Sequence, residues 1–144
     1  MATYQRPDAL ATRLINPLIA VLTKLGLSVR GSHVLAVRGR KTGQIQEVPV
    51  NPVAVDGVRY LVAPRGDTHW ARNLRVAGVA ELRVGQRREQ IYATELENDA
   101  KPPVLRAYLQ RWKRETGKFF GVDDTASDEE LRRIAPDHPV FRIA

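Results

Sequence analysis

The stretch VRGRKTGQIQEVPV, residues 37–50, combines three cations with two glycines and runs directly into an apolar, β-prone segment. The residues concerned are Arg38, Gly39, Arg40, Lys41 and Gly43. Glycine lets a backbone approach a ligand closely and turn its amides toward an anion. Arginine binds phosphate through paired hydrogen bonds, while lysine contributes a point charge and Thr42 a hydroxyl. This first basic loop, residues 38–43, is therefore a candidate phosphate site, with a charged hairpin tip as the alternative.

A second basic loop, residues 63–66 (APRG), pairs Arg65 with Gly66 just before a helix start. The amino end of a helix carries free amides and a positive dipole end, which favour anions. The two loops could converge on one phosphate-bearing ligand, although a solvated turn is again the alternative. A Walker A loop is excluded, because that motif has glycine directly before Lys-Thr, where this chain has Arg40.

The predicted helix over 68–78 places Trp70, Asn73 and Leu74 on one face. Trp70 and Leu74 are expected in the core. Asn73 is polar on this apolar face, so it needs a partner, either structural or a ligand.

Other chemistry finds little support in the sequence. His33, His69 and His138 lack metal-ligand spacing, so no metal site is predicted, and without a nucleophile elbow no catalytic residue is assigned. Aromatic residues among cations over 104–120 could stack on nucleic acid. Their helical spacing favours a buried stripe instead, formed by Leu105, Tyr108, Leu109 and Trp112.

Composition indicates one soluble domain spanning 1–144, with an N-terminal helical segment over 1–30. The net charge of +7 favours anionic partners. The absence of cysteine and of a secretory signal is compatible with the cytoplasm.

The elements that must position these loops are mostly strands. An amphipathic helix is predicted over 8–26, and helices over 68–78, 104–116 and 127–135. Asn98 or Asp99 is expected to cap the third of these, with Pro102 and Pro103 in its first turn, and Ser127 and Glu130 to form a capping box at the last. Strands are predicted over 32–39, 44–55, 58–63, 79–84, 87–96 and 139–143, with hairpins at Asp56-Gly57 and Gly85-Gln86. About six short antiparallel strands predict a mainly β (α+β) fold, a small barrel or half-open roll.

Three segments, GRKTGQIQEVPV, DGVRYLVAPRGDTHWARNL and PDHPVFRI, resemble the deazaflavin (coenzyme F420)-dependent nitroreductase and quinone reductase family. The resemblance implies a split β-barrel that binds F420, with FMN as the alternative cofactor. It assigns cofactor contacts to Arg40, Lys41, Thr42 and Gly43, to the ring-supporting strand Val48, Pro49 and Val50, to Ala63, Pro64, Arg65 and Gly66, and to Trp70, Asn73 and Leu74.

The chain departs from the family pattern at several places, and the insertion common in the family between the second loop and the tryptophan is shortened here. The family often has arginine at Gln46 and usually lysine at Arg65, and quinone-reducing members carry a tyrosine before the last strand, whereas residues 121–137 contain none. The resemblance implies hydride transfer from reduced F420 to an electron-poor quinone, nitroaromatic or enone, without a nucleic-acid partner. A nucleic-acid binder and a non-catalytic cofactor binder remain alternatives. A homodimer is compatible with this fold, and the N-terminal helix would either pack on the barrel or contact a membrane.

Overall fold

The computed structural model describes residues 33–144 and contains seven strands and three α-helices in that range. The strands are β1 His33–Arg38, β2 Ile45–Val50, β3 Val53–Val55, β4 Val58–Val62, β5 Val79–Val84, β6 Arg87–Glu95 and β7 Val140–Ile143. The helices are α1 His69–Ala77, α2 Pro102–Thr116 and α3 Asp128–Ile134. The helix predicted over 8–26 lies outside the described residues.

All strand pairs are antiparallel and form one sheet in the order β2-β1-β5-β6-β7-β4-β3. The long strand β6 joins its two halves, because Arg87–Tyr92 pair with β5 and Ala93–Glu95 pair with β7. The sheet curls into a split half-barrel, as the sequence predicts. None of the helices in residues 33–144 has the length and apolar character that crossing a membrane requires.

Two hydrophobic cores fill the molecule. The first lies inside the curled sheet against α1, and its fully buried members include Leu35, Leu61, Leu74 and Ile91. The second packs α2 and α3 against β3, β4 and β7. The predicted stripe on α2 is confirmed there, with Tyr108 at 1% and Trp112 at 2% exposure. These two rings are therefore unable to stack on nucleic acid.

The single strand predicted over 44–55 is wrong, because the chain breaks at Asn51 and Pro52 into β2 and β3. Proline has no backbone N–H, and the Pro52 carbonyl accepts a hydrogen bond from Trp112 Nε1 at 3.1 Å instead of pairing in the sheet. Pro49 is tolerated inside β2 because β2 lies at the edge of the sheet that residues 33–144 form.

The cap predicted for α2 is also displaced. Asn98 and Asp99 belong to a separate 3₁₀ turn, Asn98–Ala100, and Lys101 occupies the N-cap position. The prolines do open the helix, with Pro102 as its first residue. The capping box predicted between Ser127 and Glu130 is confirmed at α3.

Candidate anion-binding site

The first basic loop is a tight turn closed by its own backbone. Gly39 N donates to Gln44 O at 2.8 Å, and Gly43 N donates to Gly39 O at 2.9 Å. Gly43 has a φ of 74°, which favours glycine. A Cβ on Gly39 would lie 3.0 Å from Thr42 Oγ1, so glycine also fits the crowding there.

Asn73 of α1 ties this loop to the helix. Its side chain is 2% exposed, and Oδ1 accepts from Arg40 N at 3.1 Å and from Arg40 Nη1 at 2.7 Å. Asn73 Nδ2 donates to Gln46 Oε1 at 3.2 Å. The partners of the Asn73 side chain are therefore structural. Gln46, at a position where the resemblance implies arginine, has the defined role of accepting a hydrogen bond from Asn73 Nδ2.

The guanidinium of Arg40 lies beside the first turn of α1. Arg40 Nη2 is 3.5 Å from Nδ1 of His69, the first residue of that helix. Thr68 occupies the N-cap position, but its side chain makes no capping hydrogen bond. Its buried hydroxyl has no hydrogen-bond partner within the described chain. The positive end of α1 is thus uncapped beside a cation, an arrangement that favours an anion.

The second basic loop leads directly into the same helix end. Ala63 N donates to Pro139 O at 2.9 Å, and Ala63 O accepts from His138 Nδ1 at 3.2 Å. Gly66 has a φ of 101° and its N–H lies 3.3 Å from Ala63 O, which closes the turn. Burial lowers the pKa of His138, an effect that its hydrogen bond to Ala63 partly opposes.

The cations of the two loops are held by neutral groups. Arg38 Nη1 donates to Gly43 O at 2.9 Å, Arg40 binds Asn73, and the Arg65 guanidinium lies 4.3 Å from the centroid of the Phe119 ring. Several arginines elsewhere in the described chain pair with carboxylates, in the pairs Arg59–Glu89, Arg72–Asp67, Arg75–Glu95, Arg83–Glu81 and Arg106–Asp128. No carboxylate within residues 33–144 pairs with the loop arginines, so in this part of the chain their positive charge is not neutralised.

Several residues to which the resemblance assigns cofactor contacts lie in the hydrophobic core or pack against it. Leu74 and Ala63 are fully buried, and Val50 is 6% exposed. Val48 and Trp70 are half-buried against the first core, with the Trp70 ring 6.1 Å from that of Phe141. These residues shape the wall of the sheet near the loops.

The remaining assigned residues are more accessible. Lys41, Thr42 and Gly43 are exposed, while Pro49 and Pro64 are half-buried. Thr42 Oγ1 accepts from Gln44 N at 3.2 Å, so this hydroxyl is also used locally. The structure brings together Arg40 and Asn73, which are 33 positions apart in the chain.

Sequence reasoning missed the contributions of His138 and Phe119. His138 lies in the quoted PDHPVFRI segment, but nothing in that segment shows that its ring reaches Ala63, 75 positions earlier. Phe119 lies in the segment 104–120, whose aromatic residues among cations are interpreted from the sequence as a buried stripe or a nucleic-acid contact. A contact between Phe119 and Arg65 has no local sequence signal.

The curled antiparallel sheet, with basic loops at the amino end of one helix, defines a split-barrel protein suited to an anionic ligand. The model of the F420H(2)-dependent quinone reductase family matches residues 19–121, more than half of the chain. The chain therefore belongs to this family, as the resemblance indicates. No curated protein sequence matches it significantly.

Solved structures share the fold at low identity. An F420-H2 dependent reductase, FDR-A, has 18% identity and a TM-score of 0.55, over 80% of this chain and 95% of that one. A structure described as a domain-swapped dimer has 17% identity and a TM-score of 0.59, over 89% and 92% of the two chains. The heme storage protein HutZ from Vibrio cholerae has 16% identity and a TM-score of 0.51, over 79% and 80%. Proteins with different ligands thus share this architecture, so the ligand must be argued from the site.

Proposed function

We propose that this protein is an F420H2-dependent reductase that binds the phosphate-bearing deazaflavin between its two basic loops and reduces an electron-poor small molecule. The observation that carries the proposal is the charge of Arg40, which no carboxylate in residues 33–144 compensates, beside the uncapped start of α1. Arg65, on the loop that leads into the same helix, adds positive charge. Family membership supports the same cofactor.

The residues have distinct parts in this proposal. Arg40 and Lys41 bind the phosphate and acidic tail, and the closed turn at Thr42 and Gly43 fixes the path of the loop that carries them. Arg65 adds a third cation from the second basic loop. When bound, reduced F420 supplies the hydride, and the protein's task is to bind, orient and exclude water.

The apolar surface near the loops completes the proposed site. Val48, Pro49 and Val50 on the edge strand β2 support the ring, and Trp70 at the start of α1 borders it. Asn73 acts through Arg40, which it holds in place, and Leu74 anchors α1 in the core.

The test is a titration of the purified protein with F420, followed by quenching of the cofactor's fluorescence. Replacing Arg40 and Lys41 together with alanine should weaken binding roughly 100-fold, because charge-assisted hydrogen bonds contribute about 1.5 kcal/mol or more each. Normal binding by this double variant would show that the first basic loop is not the phosphate site.

A matched control removes the same charge elsewhere. Arg87 and Arg88 are exposed on the β5–β6 hairpin, at the opposite end of β1 from the first basic loop. Replacing both with alanine should leave F420 affinity nearly unchanged. An equal loss in this control would indicate a general charge effect instead of a defined site.

The same titration separates the alternatives. Preference for FMN would overturn the choice of cofactor. Steeply salt-dependent retention of DNA or RNA, with no F420 binding, would favour a nucleic-acid binder. F420 binding without oxidation of the reduced cofactor by any acceptor would indicate a carrier.

The acceptor is proposed as a quinone, nitroaromatic or enone. The segment before β7 contains no tyrosine and forms α3 and a 3₁₀ turn, so the proton source differs from the tyrosine that the resemblance associates with quinone reduction. Oxidation of reduced F420 with a panel of these three acceptor classes ranks them. Turnover with none of them would contradict the proposed reductase activity.

A homodimer is part of the same proposal. The outer edge of β2 has no partner strand in residues 33–144, and an unpaired edge can accept a strand from a second chain. Light scattering after size exclusion measures the mass directly. A monomer at all concentrations would exclude the dimer.

A further inference from the structure

Arg65 is held by an aromatic ring. Its guanidinium carbon lies 4.3 Å from the centroid of Phe119, within the range of a cation–π contact. No hydrogen bond or ion pair to Arg65 is found within residues 33–144, whereas Asp67, close by in the chain, pairs with Arg72 and Arg75. The cation–π contact with Phe119 is therefore the contact that holds this side chain within the described residues.

Phe119 is itself well placed to hold a loop. It ends the 3₁₀ turn Gly117–Phe119 after α2 and packs against the second core. The next residue, Phe120, is 3% exposed and stacks on His138 with ring centroids 4.2 Å apart. His138 in turn donates to the carbonyl of Ala63. One rigid segment thus supports both the backbone of the second basic loop and its cationic side chain.

The geometry of guanidinium suits this double use. A planar guanidinium stacks through its face, so the N–H donors along its edge stay available to a phosphate or carboxylate. The ammonium group of a lysine cannot stack on a ring through one surface and donate hydrogen bonds to an anion through another, because its charge is compact and its donors are arranged tetrahedrally. Stacking also restricts the rotamers of Arg65, which reduces the entropy lost when an anion binds.

We propose that Phe119 is a positioning residue for anion binding by the second basic loop, acting through Arg65 without touching the ligand. The ligand groups concerned are the phosphate or carboxylates of the anionic cofactor, so this inference rests on the proposed function. Under this proposal, cofactor affinity depends in part on Phe119, which lies after α2 and packs against the second core.

A double-mutant cycle tests the proposal. Phe119→Leu keeps an apolar side chain but removes the ring, and should weaken F420 binding about 5- to 10-fold, the size of a cation–π contact. Phe119→Tyr keeps the ring and should bind within about twofold of wild type. Arg65→Met should weaken binding at least as much as Phe119→Leu. The double variant should bind no more weakly than Arg65→Met alone, because Phe119 acts only through Arg65.

Lys118 provides the matched control. Its Nζ lies 5.2 Å from the centroid of the same ring, so Lys118→Met removes one positive charge beside Phe119. It should change affinity by less than about twofold if the stacked arginine, and not local charge, is what matters. Wild-type affinity in Phe119→Leu, additive losses in the double variant, or an equal loss in Lys118→Met would each overturn the proposal.

A second readout does not require the cofactor. The Nε–Hε resonance of Arg65 should show a ring-current shift that persists in Phe119→Tyr and disappears in Phe119→Leu, with thermal unfolding showing that both variants fold. An unshifted wild-type resonance overturns the stack. A shifted resonance in a wild-type protein that does not bind F420 overturns the proposed function and, with it, the role of Phe119 toward this cofactor. A wild type that binds F420, with Phe119→Leu binding equally well, overturns the positioning role alone.

Discussion

At the scale of single residues, Asn73 shows how a neutral partner preserves a charge. Its amide oxygen accepts both the backbone N–H and the guanidinium of Arg40, and its amide nitrogen binds Gln46. A carboxylate at this position would make the same bonds to Arg40 but would neutralise it. The choice of amide over acid is therefore expected to matter for binding an anion.

Asn73→Asp should separate the two effects. The variant keeps acceptors for Arg40, and the Gln46 amide can rotate to donate, so the free energy of unfolding should stay within about 1 kcal/mol of wild type. F420 affinity should fall roughly 10-fold or more, because the new charge competes for Arg40. Denaturant unfolding and the fluorescence titration measure the two quantities.

Asn73→Leu is the companion variant. It removes all three hydrogen bonds and should lower the free energy of unfolding by about 1–3 kcal/mol as well as weakening binding. If Asn73→Asp bound F420 as tightly as wild type, the neutral partner would not explain why Arg40 remains available.

At the scale of elements, the two helix starts at Thr68 and Ser127 differ although both have a hydroxyl residue at the N-cap. Ser127 Oγ accepts from Glu130 N at 3.1 Å, and Glu130 Oε1 accepts from Ser127 N at 3.2 Å. Thr68 makes no such bond at α1. A site that binds an anion gains from leaving its helix amides uncapped.

The two caps therefore predict opposite results for stability. Ser127→Ala should lower the free energy of unfolding by about 1 kcal/mol, since it removes a reciprocal capping box. Thr68→Val should cause no loss, because it keeps the shape and removes a buried hydroxyl that has no partner in the described chain. Urea unfolding of both variants makes the comparison. A loss in Thr68→Val equal to that in Ser127→Ala would contradict the uncapped start of α1.

Local patterns in the sequence account for most of these elements. The Asp56-Gly57 turn, the Ser127 capping box and the helical stripe on α2 each have a signal within a few residues, and the structure confirms them. The sequence predicts one strand over 44–55 because β2 and β3 are both β-prone and only Asn51 and Pro52 separate them. The break has a local cause in the missing N–H of Pro52 and a distant one in Trp112, whose Nε1 donates to the Pro52 carbonyl from 60 positions away.

The contacts within the candidate site were less predictable from the sequence than the helices and strands, because they join residues that are far apart in the chain. The loops were recognisable by composition, and Asn73 by its need for a partner. The identity of that partner depends on α1 packing across β1, which brings Arg40 to Asn73. The contact of His138 with Ala63 depends on β7 pairing with β4, a long-range pairing that no local pattern encodes.

At the scale of the whole molecule, a buried chain of hydrogen bonds links the helical half to the second basic loop. Lys101 Nζ donates to Ala135 O at 2.9 Å, and the same carbonyl accepts from His138 N at 3.2 Å. His138 Nδ1 then donates to Ala63 O. Burial lowers the pKa of Lys101 as well as that of His138, so both groups are less readily protonated than in the unfolded chain.

Because the pKa of His138 is lowered in the folded protein, the free energy of unfolding should depend on pH. The folded-state pKa lies below the ordinary value of 6.5, chiefly because burial disfavours the imidazolium. The positive charge of Lys101 adds to this effect, while Asp137 and the carbonyls of Ala63 and Pro64 oppose it. The unfolded chain therefore binds a proton at a pH where the folded chain does not. The free energy of unfolding should fall as pH drops below about 6.5, with no contribution from His138 at higher pH.

His138→Gln isolates this contribution, because glutamine does not titrate. Urea unfolding between about pH 5 and 7.5 should show a shallower loss of stability on acidification in the variant, with the slopes differing by at most one proton, about 1.4 kcal/mol per pH unit. His33→Gln serves as the control, since His33 is only half-buried at the start of β1 and is not a member of the series of hydrogen bonds from Lys101 to Ala63. Equal slopes for wild type and His138→Gln would mean that His138 is protonated equally in both states. In that case the ring of His138 would support Ala63 without making the second basic loop sensitive to acid.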